Sequence, residues 1–407
     1  MEKVSDGVIH TVPLGIYISV PFCRTKCSFC NFASDVFSRA VFDHYVDRLC
    51  ADMVAAELQA GEMGAEFERA VDSIYLGGGT PSLLEPAQLE RLFSRLRDNF
   101  EVQPGTEITV ECAPGTLTQK LIECLTRCGV NRVSLGVQSF VDAEAAAVGR
   151  LHKRAIVLEE INRLQAAGIS DINIDLIAGL PHQTPESWEY SLAETIATGS
   201  PHVSVYMLEV DEDSRLGREL LAGGTRYHAH FVPDDDLTAD FYEEACRRLA
   251  AAEIGQYEIS NFARAGFESL HNLKYWTRQP YLGFGVDAHS MLRVKQEAHD
   301  FTRPDRSVEV RFACPDQLEL YTGGVGLEKT LVTERAALQE ALFLGLRLNR
   351  GVETASLRRE FGDAAVAESA PVFAALDGAG LLRRENGRLF LTPRGRLLSN
   401  EVFQRLI

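Results

Sequence analysis

Short apolar runs alternate with longer amphipathic stretches through the first half of this chain, and the alternation predicts its architecture. Residues 16–20, 71–76, 107–111, 132–137, 171–177 and 202–208 read as strands. Between them, 86–99, 153–167 and 185–198 place apolar residues at helical spacing, as Leu89, Leu92, Phe93 and Leu96 do in the first. Repeated strand-then-helix units imply a parallel sheet with right-handed crossovers, and hence an α/β barrel or partial barrel with its site at the C-terminal mouth. Beyond 210 the pattern loosens: 234–252 reads as a helix, 256–259 as a strand and 293–311 as a polar connector. Two or three short helices follow 333, and then Asn386-Gly387 sits between apolar-bearing runs, which signals a type I′ hairpin. The expected division is a barrel core over 1–210, a completing region with the His271 segment over 211–332, and a small α+β, winged-helix-like module over 333–407.

Length and charge narrow the possible partners. At 407 residues the chain exceeds a single core, and 45% apolar with 24% charged residues describes a soluble globular protein. The 41 basic against 58 acidic residues give a net charge of −17, so nucleic acid is not an expected partner, even with a winged module present. Residues 1–10 lack the basic and apolar regions of a secretory signal, and no apolar run is long enough to cross a bilayer. A cytoplasmic location is therefore expected, and with it free thiols rather than disulfides among the nine cysteines.

Three of those thiols carry the chemistry. Cys23, Cys27 and Cys30 are separated by three and then two residues, directly after an apolar strand. Three thiolates in one loop can hold three irons of a [4Fe–4S] cube and leave the fourth iron open to a small molecule. A structural zinc site would need a further ligand pair at knuckle spacing, and none follows. Gly77-Gly78-Gly79-Thr80-Pro81 ends the second strand; it lacks the Lys-Ser/Thr of a phosphate-binding loop, but its bare backbone can approach a ligand closely. Glu111 and Gln138 close the third and fourth strands, Asp175 lies in the fifth, and Arg150 follows the fourth after a short helix. Cys124 and Cys128, four apart on a helix, read as one buried face, and Cys50, Cys112, Cys246 and Cys314 as small core residues.

The segment from Tyr17 through Cys23, running into Cys-x3-Cys-x2-Cys with Phe29 before the last cysteine, resembles the radical S-adenosylmethionine (SAM) superfamily. That resemblance implies a six-unit partial barrel, a [4Fe–4S] cluster on Cys23, Cys27 and Cys30, and SAM chelating the open iron through its amino and carboxylate groups. An electron from the cluster would then cleave the sulfonium bond and yield a radical that abstracts hydrogen. It also assigns the SAM amino group to the backbone at Gly78, Gly79 and Thr80. The ribose hydroxyls and carboxylate go to Glu111, Gln138, Arg150 and Asp175, with Tyr17 and Phe29 close by.

His271-Asn272-Leu273-Lys274-Tyr275-Trp276 and the glycine-rich segment 281–290 are similar to the coproporphyrinogen III oxidase-like branch, and within it to its haem chaperones. This likeness implies haem held near His271 and passed to an acceptor protein, with an electron donor and peripheral contact with membrane haem proteins as further expectations. From its own sequence context, His271 could equally hydrogen-bond locally while Tyr275 and Trp276 fill a core. Asp287 stands where the pattern more often has Gly. Oxygen-independent coproporphyrinogen III dehydrogenases typically carry one more cysteine where this chain has Phe32, and a longer extension than the about fifteen residues here. Both features favour a chaperone, with no catalytic residue assigned, over propionate decarboxylation as the alternative. An iron–sulfur transcription sensor is a third class, opposed by the net acidity.

Overall fold

The computed structural model describes residues 12–212, 214–295 and 306–407. β1 (Leu14–Val20), β2 (Ala70–Gly78), β3 (Glu101–Cys112), β4 (Arg132–Gln138), β5 (Asp171–Ala178) and β6 (His202–Met207) lie side by side in chain order, each parallel to the next. These are the six predicted strands. Ile16, Ile18, Val133, Leu135, Ile172 and Ile174 are fully buried, as expected where helices cover one face of a parallel sheet and side chains fill the other. The helix Pro86–Asn99 starts at a capping box between Glu85 and Gln88, with Pro86 at its first position, and buries Leu89, Leu92, Phe93 and Leu96. Thr184 and Ser187 open the helix Pro185–Ala197 in the same way.

The sheet runs beyond those six strands at both edges. β7 (Gly255–Gln256) and β8 (Asn261–Ala263) pair antiparallel, with β8 against β6. The strand expected at 256–259 is therefore mostly the turn between two shorter ones. At the other edge β9 (Tyr281–Phe284) lies parallel to β1, and β10 (His289–Arg293), β11 (Ser307–Ala313) and β12 (Glu328–Thr333) continue antiparallel. The connector expected over 293–311 is corrected accordingly. Val308, Val310 and Phe312 alternate with Glu309 and Arg311, a two-residue period that the polar content concealed. Residues 296–305 of that stretch, and the first ten residues read for a signal, lie outside the described residues.

Thr333 caps the helix Glu334–Arg347, which opens a second hydrophobic core of Leu342, Leu346, Phe373, Leu376, Leu389 and Val402. β13 (Val352–Glu353), β14 (Leu382–Glu385) and β15 (Arg388–Leu391) form its antiparallel sheet, and Asn386 and Gly387 turn between β14 and β15 with φ of 49° and 75°. The predicted hairpin and its winged-helix-like setting are thus present. Arg278 to Glu340 (3.5 Å) and Arg311 to Glu340 (2.7 Å) tie this unit to the barrel, with Arg347 stacked 4.3 Å over Trp276. All nine cysteines are free, and Cys124 and Cys128 share a buried face with their sulfurs 4.0 Å apart. No helix among the described residues is long and apolar enough to cross a membrane.

Candidate cluster and cofactor site

β1 delivers the chain to the barrel mouth, where one aromatic anchors the cysteine loop. Phe22 is fully buried, stacked 3.7 Å from Phe42 and edge-on to Tyr45. The Asp35 amide donates to Pro21 O (3.0 Å) and the Cys23 amide to Asp35 O (2.9 Å), which closes the loop that carries Cys27 and Cys30. Burial pushes the Cys23 and Cys30 thiols up, and neighbouring cysteines add to this, so a bound cation would favour their ionisation. No three His, Cys, Asp or Glu side chains among the described residues converge on a single metal ion. A cube does not ask them to, because each thiolate takes a different iron. Three soft sulfurs on one partly exposed loop suit that group.

The glycine run is a close packing surface. A Cβ at Gly79 would lie 2.8 Å from the carbonyl oxygens of both Val20 and Phe22, and one at Gly78 would lie 2.8 Å from Ser19 Oγ at a φ of +97°. At Gly77 a Cβ would meet the Tyr75 ring at 2.9 Å and the Glu111 carboxyl at 3.0 Å. The end of β2 is therefore pressed against the base of the cysteine loop, and the Thr80 hydroxyl reaches within 3.9 Å of Cys23 Sγ.

Around this cradle the polar groups assemble unequally. Glu111 leans over Gly77 and accepts from the Tyr75 hydroxyl at 2.8 Å. Burial, joined by the charge of Asp175, pushes Glu111 up to about 7 despite hydrogen bonds from Tyr75 and the Gly78 amide. Gln138 ends β4 at a φ of 69°, and its buried Oε1 has no hydrogen-bond partner. An orphaned acceptor of this kind is what a ligand hydroxyl would satisfy. Arg150 donates to Gly136 O and lies 3.5 Å from Cys27 Sγ, so it binds the cluster loop to β4. Tyr17 stacks 6.2 Å from Tyr75 inside the barrel, and Phe29 packs on Val148, Ile177 and Leu180.

Two expected site residues are already engaged. Ser134 Oγ (3.1 Å) and Asn173 Nδ2 (2.7 Å) donate to the Asp175 carboxylate. The carboxylate faces a cavity of about 50 Å³ shared with Tyr75, Glu111 and His202, a volume suited to water rather than to a cofactor. His271 is 1% exposed, with Nδ1 3.0 Å from Ser73 Oγ and Nε2 2.9 Å from the Tyr275 hydroxyl. Burial, with Lys274 nearby, pushes it down to about 3 and keeps it neutral. Both ring nitrogens are engaged, so haem ligation by His271 would require the Ser73 or the Tyr275 hydrogen bond to open.

Sequence reasoning missed the groups that hold His271. Glu107 caps the helix Leu270–Trp276 by accepting from the amides of Leu270 (2.9 Å) and His271 (3.0 Å). Gly15 lets that helix seat on β1, since a Cβ there would stand 2.9 Å from Lys274 Cδ. The His271 ring stacks 5.4 Å from Tyr75, the residue that orients Glu111. Ser269 at the helix start was the available sequence cue; its partner Glu107 lies 162 residues away.

Residues 17–194 match the radical SAM superfamily model, and 332–398 match the HemN C-terminal domain. The curated "Heme chaperone HemW" of Lactococcus lactis is 30% identical over 97% of both chains. The chain belongs to the HemW family. The Bacillus subtilis HemW is 32% identical over 95% of this chain and 97% of its own. Coproporphyrinogen III oxidase (HemN) from Escherichia coli, described as a radical SAM enzyme, superposes with a TM-score of 0.79 at 25% identity, covering 97% of this chain and 90% of that one. In this HemW-family chain the cysteine loop, the glycine run and the unpaired Gln138 acceptor lie at the C-terminal ends of β1, β2 and β4.

Proposed function

We propose that this chain is a haem chaperone that binds a [4Fe–4S] cluster, SAM and haem and hands the haem to an acceptor protein. What carries the reading is its end-to-end likeness, at 30% and 32% identity, to curated haem chaperones, joined to Phe32 at the position where the dehydrogenases carry a further cysteine. Cys23, Cys27 and Cys30 would hold the cluster. The Gly78–Thr80 backbone would receive the SAM amino group. Arg150 would face its carboxylate, while Glu111 and Gln138 accept from ribose hydroxyls between Tyr17 and Phe29. Asp175 would act through the polar network that it shares with Glu111. When bound, the two groups supply one-electron reductive cleavage of a sulfonium bond; the protein contributes placement and exclusion of water.

On this reading the chain divides at 210 and 332, and the separate core, drawn from Leu338 onward apart from Ile259, supports the second boundary. A cytoplasmic location, an electron donor and peripheral contact with membrane haem proteins belong to the same proposal, and nucleic acid is not a partner. The likeness to HemN keeps propionate decarboxylation as a second reading. Anaerobic, cluster-loaded protein carrying haem should transfer its Soret absorbance to a separable apo-haem protein and should not convert coproporphyrinogen III to protoporphyrinogen. Conversion without transfer would replace the chaperone by the enzyme.

A further inference from the structure

Haem ligation at His271 would disturb more than two hydrogen bonds, because the same ring is packed into the wall that leads to the SAM site. The two-residue period of β2 turns Ser73, Tyr75 and Gly77 to one inner face of the barrel. Ser73 Oγ meets His271 Nδ1 at 3.0 Å, the Tyr75 ring stacks on the imidazole at 5.4 Å and 27°, and the Tyr75 hydroxyl donates to Glu111 Oε1 at 2.8 Å. Gly77 completes the row, since the place of its missing Cβ lies 2.9 Å from Tyr75 Cε1 and 3.0 Å from the Glu111 carboxyl. One residue thus touches both the group assigned to haem and a group assigned to SAM. We propose that Tyr75 is a positioning residue that holds Glu111 for SAM and couples it to His271, so that haem and SAM weaken each other's binding; this rests on the chaperone reading above.

Tyr75 is held by rings and yet has room to turn. Tyr17, its register partner on β1, stacks 6.2 Å from it and lies 6.4 Å from His271, so the three rings form one cluster. Beside Tyr75 lies the interior cavity of about 50 Å³, bounded also by Glu111 and, at the start of the His271 helix, by Ser269 and Asn272. A close-packed core resists movement of a ring, whereas a void beside it provides a second position. The void therefore joins the same two sites that Tyr75 joins.

The direction of the coupling follows from which contacts can open. The helix Leu270–Trp276 is seated closely, with the place of a Gly15 Cβ 2.9 Å from Lys274 Cδ and 3.3 Å from His271 Cε1, and Glu107 holds its first amides. His271 would reach an iron by leaving its stack rather than by carrying its neighbours along. Tyr75 then loses a face of contact and turns toward the cavity, and its hydroxyl leaves Glu111. A carboxylate no longer held over Gly77 must be ordered again before it accepts from ribose hydroxyls, which weakens SAM about three- to tenfold. Linkage makes the effect reciprocal: with SAM in place Glu111 keeps Tyr75, and Tyr75 keeps His271, in the stacked arrangement, and haem is weakened by the same factor. Uptake of SAM would in this way favour release of haem to the acceptor.

The test uses full-length, cluster-loaded protein under anaerobic conditions, with the cluster kept oxidised so that SAM stays intact. SAM affinity is measured by isothermal titration with and without ferric haem, and haem affinity by the Soret band with and without SAM. Wild type should show the same loss, about three- to tenfold, in both directions. Tyr75→Phe keeps the ring and removes the hydroxyl; it should weaken SAM in haem-free protein and reduce the effect of haem on SAM to within about twofold. Tyr190→Phe, at an exposed tyrosine of the helix Pro185–Ala197, should couple as wild type does. Haem-loaded wild type that binds SAM as tightly as haem-free protein would overturn the coupling and leave the chaperone reading intact. Coupling that persists in Tyr75→Phe, or in haem-loaded His271→Ala, would overturn the route through these residues. Wild type that takes up no haem would end both.

Discussion

Adding one methyl group at Gly79 tests whether the glycine run is a fitted surface or an ordinary turn. In Gly79→Ala the new Cβ would lie 2.8 Å from Val20 O and Phe22 O and 3.0 Å from Phe22 N. All three are backbone atoms, and Phe22 is locked between Phe42 and Tyr45, so no flexible side chain can give way. Restoring ordinary contact needs a shift of roughly 0.6 Å between the end of β2 and the cysteine loop, and overpacking of this kind costs about 1–3 kcal/mol. If that strain falls on the bound geometry, SAM affinity drops about five- to hundredfold. Isothermal titration of anaerobically reconstituted protein measures this directly, with Gly378→Ala, where no atom lies within 4 Å of the added Cβ, as the matched control. Affinity within twofold of wild type in Gly79→Ala, at unchanged iron content, would refute the cradle.

Glu111, pushed up to about 7 by burial, accepts more strongly from ribose hydroxyls once ionised, so SAM affinity should rise from pH 6 to pH 8 through about that value. Glu111→Gln should flatten the profile, and an unchanged slope in that variant would remove Glu111 from the site. Glu107→Ala leaves the buried His271 amide and the part-buried Leu270 amide unpaired and should cost about 1–3 kcal/mol, seen as a lowered thermal midpoint, while Glu107→Gln loses less. Asp287 has a φ of 57°, so Asp287→Gly should change stability by less than about 1 kcal/mol and Asp287→Val should destabilise more. Equal effects of the two substitutions would show that the backbone conformation there is not limiting.

The parts of this chain that were legible in its sequence are those set by local periodicity and spacing. The six parallel strands, the capped helix Pro86–Asn99 and the Asn386-Gly387 turn each depend on neighbours within a few residues. The cysteine loop and glycine run were legible for the same reason. What escaped was set at long range. β9 joins the parallel sheet beside β1 through only four residues, with 260 positions between them in the chain, and β11 hides its alternation among charges. The enclosure of His271 arises from Ser73, Tyr275 and Glu107, only one of which belongs to its own segment. Asp175 reads as a free carboxylate until Ser134 on the neighbouring strand and Asn173 are seen to donate to it.

The central claim is a cuboidal iron–sulfur centre on Cys23, Cys27 and Cys30 with one iron left for SAM. Iron and sulfide analysis of oxygen-free protein, joined to electron paramagnetic resonance of the reduced centre with and without SAM, tests it most directly. The account predicts about four iron and four sulfide per chain, a spectrum that changes when SAM is added, and loss of both in the triple Cys→Ser variant. Iron content that survives the triple substitution, or a reduced spectrum indifferent to SAM, would contradict it.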